Sequence, residues 1–470
     1  MRHMRKQTDK TELFERMPIP RAVMTLSIPM VLSSLVMLAY NLADTFFVAR
    51  LNDPLETAAV TLASPVLLAF NAVNNLFGVG ASSKMSRALG EKDYDAVRAS
   101  AAFGVWGAAI FAVLFSLLAT VLRPSLLTLL GASAENRAQT ASYLLWTVSL
   151  GALPAILNVV MAYLVRAEGS ALHAGIGTMS GCLLNMVLDP IFILPWGLDM
   201  GAAGAGLATC VSNIVACIYF LTLLRVKRGQ TFVSVSPKRA LGVTRKTALE
   251  ILSVGVPASI QNLLNVAGMT VLNNLVAVYD SEAVSAVGIA HKITMVALYV
   301  AMGFGQGVMP LAGYNYASGN RKRMKEGVLF AAKISTSILL LLTAVYWVFA
   351  EQIVGLFMDN ERVVEYGAAF VRGGSLAQPF LALDFLAVGV FQSCGFGLRS
   401  LIFAVCRKVV LEIPGMLLLN RLFPLYGLAY AQFAAELILS VAATICLFRL
   451  FRGGDGGGGG KAVSPAENGG

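Results

Sequence analysis

Charge is what this sequence has least of. Only 13% of its 470 residues are Asp, Glu, Lys or Arg, against 57% that are hydrophobic. A water-soluble domain needs roughly a quarter of its residues charged, so a fully aqueous surface is excluded. Histidine occurs three times. The six cysteines (Cys182, Cys210, Cys217, Cys394, Cys406, Cys446) fall inside or at the ends of apolar segments, where they read as packing residues. Their spacing fits neither a disulfide framework nor a zinc site. No HExxH or CxxC occurs, and the nearest approach to a phosphate-binding loop, Asp455 to Ala462 (DGGGGGKA), lacks the first glycine and the closing Ser/Thr. An enzyme is therefore not expected, nor a resident cofactor, nor an ATPase within the chain. Residues 1–20 carry no apolar run before a small-residue cleavage site, so the first apolar helix is expected to be the insertion signal.

What is present is a succession of apolar stretches, each long enough to cross about 30 Å of hydrocarbon. Twelve spans are expected: α1 22–48, α2 55–80, α3 97–121, α4 139–165, α5 171–194, α6 201–225, α7 247–278, α8 283–312, α9 327–350, α10 363–393, α11 398–420 and α12 426–450. No barrel strand is this long or this uniformly apolar, so the class is all-α integral membrane. The net charge of +10 does not call for a nucleic-acid partner, because the basic residues are sorted by side. With the N-terminus inside, 26 of the 36 Lys and Arg lie inside, five (Arg50, Arg123, Arg137, Arg362, Arg421) outside and five within spans. Both termini are then expected in the cytoplasm.

The chain reads as a duplication. Pro29 aligns with Pro257, Gly90 with Gly319, Pro154 with Pro379, Gly169 with Gly395 and Gly201 with Gly427, all at nearly one spacing. Two six-helix lobes in the same orientation follow. The expected organisation is a cytoplasmic segment 1–21, an N-lobe 22–225, a linker 226–246, a C-lobe 247–450 and a flexible glycine-rich tail 451–470.

An Asp near the middle of a membrane helix costs roughly 2.5–3.5 kcal/mol, so it tends to face a cavity or a partner. The candidates are Asp44 on α1, Asp189 on α5 and Asp384 on α10. Tyr40 and Asn41 share a face with Asp44, as Asn185 does with Asp189, and Thr209 on α6 lies at similar depth. Two carboxylates with amide and hydroxyl oxygens at one depth make a hard-oxygen cation site, or a pair that holds a proton. Otherwise Asp189 caps the helix before Pro190 and Asp44 is interfacial. In the second half the positions matching Asp44 are Leu272 to Asn274. Its polar residues are Gln261, Asn262 and Asn265 on α7, which line a central cavity or hydrogen-bond between helices. Asp384 falls opposite Asn158 of α4. His291, Lys292, Arg407 and Lys408 are ambiguous, and Glu412 is placed to pair with Lys408 four residues away. Proline inside α1, α2, α4, α7 and α10 allows bending.

Several of these stretches resemble the multidrug and toxic compound extrusion (MATE) transporters, over about residues 14–450. The resemblance rests on Tyr40-Asn41-Leu42-Ala43-Asp44-Thr45, Leu89-Gly90, Leu184 to Pro190 (LNMVLDP), Gly201-Ala202-Ala203-Gly204, and Gly303-Phe304-Gly305-Gln306-Gly307 to Gly313-Tyr314-Asn315-Tyr316. The Asp of α1 with Asn and Asp four apart on α5 is similar to the DinF-like or MepA-like branch. The resemblance implies a V-shaped pair of lobes around a central cavity that opens alternately to either side of a bacterial inner membrane. It implies small cationic, amphipathic compounds or metabolites as substrates, exported in exchange for protons or sodium. It assigns the ion site to Asp44, Asn185, Asp189, Thr209 and Asn158, with Asp44 and Asp189 as the metal ligands if the ion is sodium. Tyr40, Asn41, Gln261, Asn262, Asn265 and Asp384 are expected to line the substrate cavity. Another branch carries a glutamate on α7, where this chain has Gln261-Asn262.

A major-facilitator carrier would want an Asp-Arg-rich signature after α2, where this sequence reads SKMSRALGEKDYDA. A lipid-linked saccharide flippase would want fourteen spans and a cationic cavity. An intramembrane phosphotransferase would need an aspartate cluster following Asp44 to Arg50.

Overall fold

The computed structural model describes residues 11–51 and 53–453. Arg2, Arg5, Lys6 and Lys10, and the tail from 454 onward with Lys461, lie outside the described residues. Every regular element among those described is helical, because in hydrocarbon each backbone N–H and C=O must find its partner inside the segment. The elements are α1 Ile19–Ala49, α2 Pro54–Gly90, α3 Tyr94–Val121, α4 Arg137–Leu150 with Ala152–Ala167, α5 Ala171–Ile193, α6 Gly201–Val226, α7 Arg245–Val276, α8 Ser281–Ala317, α9 Arg321–Gly355, α10 Glu361–Ser375 with Gln378–Ser393, α11 397–422 and α12 Leu428–Phe451. Among the described residues, nine are long and apolar enough to span a membrane unbroken, and the two bent pairs bring the number to eleven. The twelfth, α11, is continuous through Gly397–Val405, Cys406–Glu412 and Ile413–Leu422. Arg399, Arg407, Lys408, Glu412 and Arg421 on it dilute the apolar character that marks the others.

The aligned prolines Pro154 and Pro379 accompany matching breaks, with bends of 49° in α4 and 46° in α10. A proline lacks the N–H that would bond back one turn, so a break just before it costs little. Pro29, Pro65 and Pro257 instead lie inside unbroken helices. The expected end of α2 at 80 needs correction, since the helix continues to Gly90. Lys84 and Arg87, expected in a loop, therefore stand on α2 and reach Glu250 of α7 at 2.7 and 3.8 Å. Arg166, also expected in a loop, is buried at the end of α4, donates to Gln306 of α8 at 2.6 Å, and lies over the Tyr163 ring. All six cysteines are free, and three of them are buried.

The polar contacts between the lobes gather on one half of the helices, the half nearer the basic end. Ser83 of α2 bonds the Gln392 carbonyl (2.5 Å) and Ser259 of α7 bonds the Ala72 carbonyl (2.6 Å). There α8 lies against α1 so closely that a Cβ on Gly303 would stand 2.6 Å from Val31 Cα, and one on Gly307 2.5 Å from Ser27 Cα. Glycine is required at both positions because the two backbones touch. At the same end, the Tyr314 hydroxyl donates to Glu15 (2.6 Å) and Arg323 donates to the carbonyls of Leu13 and Phe14. On the opposite half, polar side chains stay exposed: Thr57, Thr61 and Ser64 on α2, and Thr270, Asn273 and Asn274 on α7. Asparagine is a poor lipid-facing residue, so the face of α7 borders a wetted cleft, while Thr57 and Thr61 line a pocket with Gly131 and Asn136 of the N-lobe. The lobes are closed at the basic end and parted at the other.

Candidate cation site in the N-lobe

Asp44 and Asp189 are brought together. They stand on neighbouring helices, α1 and α5, which pack along much of their length. The carboxylates are close enough to interact electrostatically. Asp189 is fully buried and Asp44 is half-buried. Among the described residues neither carboxylate takes part in an ion pair with Lys, Arg or His. Asp189 does not cap its helix, because α5 runs on through Pro190 to Ile193. Burying the side chain is thus not explained by a need to terminate the element.

Asn185, one turn earlier on α5, orients Asp189. The amide orientation that satisfies both of its ends has Nδ2 donating to the Asp189 carboxylate at 2.7 Å, while Oδ1 accepts from the Thr209 hydroxyl at 3.3 Å. This orientation is assigned from the hydrogen-bond network. The Asn185 oxygen, expected among cation ligands, is then taken by Thr209. Tyr40 of α1 contacts Thr209 through its hydroxyl and lies within electrostatic reach of both carboxylates. Tyr40 therefore belongs to this pocket, although it was expected to line the cavity.

Asn158 donates to Asn213 of α6 at 3.2 Å, and Asn213 donates to the Thr209 carbonyl at 2.9 Å. It joins the pocket through a relay and not by direct contact. Asn213 and Tyr143 escaped the sequence reading. Tyr143, on the first part of α4, is buried within reach of Asp44, Asp189 and Tyr40. Its depth depends on the break in α4, which periodicity did not reveal. Among the described residues no group of three or more His, Cys, Asp and Glu is placed to hold a metal ion. An ion here would rest on two carboxylates and neutral oxygens.

The residues expected in the cavity divide. Asn41 is exposed and donates to the Tyr299 hydroxyl of α8 at 3.4 Å, across the cleft. Asn265 is exposed and accepts from Arg407 at 2.8 Å. Asn262 is half-buried. Gln261 is held between helices, donating to Ser400 (3.0 Å) and accepting from Gln392 (3.1 Å). Asp384 is buried, not open to the cleft, and its Oδ2 accepts from Arg407 at 2.7 Å. Lys408 meets Glu412 at 2.6 Å, the expected pairing four residues apart. A separate pocket of 620 Å³ opens at the non-basic end, lined by Asp53, Thr57, Thr61, Gly131 and Asn136 among others. Its one carboxylate, Asp53, already caps α2 through the Leu55 N–H.

The MatE family model matches twice, over residues 29–191 and 257–418, each match opening on one of the aligned prolines Pro29 and Pro257. Multidrug export protein MepA of Staphylococcus aureus (strain MRSA252) is 30% identical over 438 residues, covering 93% of this chain and 95% of its own length. A solved multidrug resistance MATE family transporter of the MOP superfamily, in an outward-facing conformation, superimposes with a TM-score of 0.88. It is 27% identical and is covered over 94% of this chain and 98% of its own. A MOP superfamily transporter from Pyrococcus furiosus Vc1 (DSM3638), described as having a binding pocket of reverse polarity, superimposes with a TM-score of 0.85, at 27% identity and the same coverage.

Proposed function

The chain belongs to the MatE family of multi-pass membrane transporters, and on that premise we propose that it exports small amphipathic, cationic compounds in exchange for protons. The observation that carries this reading is the N-lobe pair. Asp44 and Asp189 interact with each other and, among the described residues, have no basic partner. Two nearby carboxylates in a protein-lined pocket strongly favour taking up one cation. A proton is favoured over sodium because two close carboxylates can share one proton with no further ligand, and among the described residues no third acidic or imidazole side chain joins them. A sodium ion wants oxygens all round.

The cycle starts with the lobes parted at the non-basic end, which faces the outside, while both termini lie in the cytoplasm of a bacterial inner membrane. A cationic substrate held near the exposed Asn41 is stabilised by the negative pair behind it. A proton arriving at Asp44 or Asp189 removes that attraction and relaxes the repulsion between the carboxylates. The substrate leaves. With the charge removed, α1 bends at Pro29, where the missing N–H already weakens it, and the lobes rearrange toward the opposite opening. Proton and substrate thus compete for one negative charge, and no ATPase is needed.

Transport in proteoliposomes with proton and sodium gradients imposed separately, on a panel of organic cations, tests the reading. A proton gradient alone should drive accumulation, and Asp44→Asn or Asp189→Asn should abolish it while the protein remains folded. Transport driven by sodium alone would move the coupling to sodium. Full gradient-driven transport in both variants would remove the pair from the mechanism.

A further inference from the structure

The closed end buries one positive charge without a counter-charge. Arg166 stands in the last turn of α4 and is 5% exposed. Its Nη1 donates to Gln306 Oε1 of α8 at 2.6 Å and to Met30 Sδ of α1 at 3.3 Å, both neutral. Its guanidinium lies 4.5 Å from the centre of the Tyr163 ring, and Tyr163 is the titratable side chain that acts on it electrostatically. Among the described residues no Asp or Glu pairs with it. Glu168, two residues on, turns to the linker instead, accepting from Thr231 Oγ1 at 2.9 Å and the Phe232 N–H at 2.7 Å. Glu250 of α7 is held by Lys84 at 2.7 Å, and Glu15 by the Tyr314 hydroxyl at 2.6 Å. A guanidinium keeps its proton in a protein, so the charge stays. The carbonyl end of α4 offers about half a negative charge, and the remainder is strongly disfavoured away from water.

Arg166 lines a small cavity where the lobes join, together with Ser82, Ser83 and Ser86 of α2 and Ser393 of α10. The centre of a water-sized ligand has about 10 Å³ in which to sit there, which is room for one such particle. Sulfate, phosphate and organic acids are too large, whereas a monatomic anion fits. A water molecule fits too, but brings no charge. Ser82, Ser86 and Ser393 donate to the carbonyls of Val79, Ser82 and Val390, which lie inside helices and already take a backbone N–H. Each hydroxyl can therefore turn toward an anion without stripping a carbonyl of its partner. We propose that this cavity binds a chloride ion, held by Arg166 and the serine hydroxyls as the counter-charge of the closed end. Both lobes supply its walls, so parting them at the basic end takes the site apart and frees the ion to that side. Chloride thus favours the state that is closed there.

Three measurements on the full chain test this. In crystals grown with bromide in place of chloride, an anomalous peak should stand beside Arg166. In lipid nanodiscs, replacing gluconate by chloride at constant ionic strength should raise the thermal midpoint saturably. The unfolding equilibrium should move about tenfold toward the folded state once chloride reaches about ten times its dissociation constant. The response should weaken in Ser393→Ala, disappear in Arg166→Gln and persist in Asp44→Asn/Asp189→Asn, so that it stands or falls apart from proton coupling. Spin-label distances between the basic ends of α2 and α7 should show chloride populating the closed end. No anomalous peak, equal midpoints in chloride and gluconate, or an unchanged response in Arg166→Gln would each overturn the proposal. A bromide peak without any chloride-dependent midpoint would mean an adventitious ion only, and chloride populating the open end would overturn the link to the closed state. If Arg166→Gln does not fold, Ser393→Ala decides, and an undiminished chloride response there overturns the site.

Discussion

In the N-lobe, Asp44 and Asp189 lie together with an amide, a hydroxyl and two phenols around them, and no basic partner among the described residues. In the C-lobe, Asp384 and Glu436 are buried around Arg407, with Lys408 and Glu412 paired alongside. The two lobes descend from one unit, matched by one family model twice, and both break α4 or α10 at the aligned proline. Where the N-lobe has Asn158 bonded to Asn213, the C-lobe has Asp384 bonded to Arg407. One scaffold thus carries an uncompensated acid pair in one copy and a nearly balanced ion cluster in the other. The same residue type has different consequences in the two, because a buried carboxylate beside a guanidinium supports the fold, whereas one without a base is available to a mobile cation.

The sharpest way to break this contrast is to remove one acid from each lobe. Asp384→Asn removes the 2.7 Å partner of Arg407 and leaves Glu436, at 3.9 Å, as its nearest counter-charge, and breaking a buried pair of this kind costs up to about 3–5 kcal/mol. A large drop in thermal stability, followed by tryptophan fluorescence in detergent, is expected. Asp189→Asn removes a charge that had no partner, so stability should hold or rise while proton-driven transport falls by at least about tenfold, ~1.4 kcal/mol of coupling. If the two variants exchanged these phenotypes, the assignment of structural and coupling roles to the lobes would be reversed.

Smaller effects sharpen how the lobes meet. Gly303→Val sets a side chain against the backbone of Val31, and overpacking of this kind costs about 1–3 kcal/mol. Spin-label distances between the basic ends of α2 and α7 should lengthen, because the closed end is pried apart. Glu250→Gln removes the partner of Lys84, a pair partly open to solvent. It should shift the same distances only slightly, in keeping with about 1 kcal/mol or less for such a pair.

The helices were legible because long apolar runs admit one reading in a membrane, and the duplication because prolines and glycines recur in register. Asp44, Asn185, Asp189 and Thr209 were legible as one locus because helical spacing and depth from the span ends fix which side chains meet. Arg407 was not, since a charge inside a span carries no record of its partner when that partner sits on another helix. Tyr143 was hidden by the break in α4, whose bend sets where its first half points. Arg166 and Lys84 were read as loop residues because a basic residue near a span end looks the same whether it faces water or the opposite lobe. Tyr40 and Gln261 were placed on the correct helices, but their hydrogen-bond partners came only from the packing.

Competition between proton and substrate is tested most directly by counting protons when substrate binds. A pH indicator in weakly buffered detergent solution should register proton release when an organic cation that the protein transports is added to the unmodified chain, and none when it is added to Asp44→Asn/Asp189→Asn at concentrations that still bind. Equal release from both proteins would mean that the charge displaced by substrate lies somewhere other than this pair.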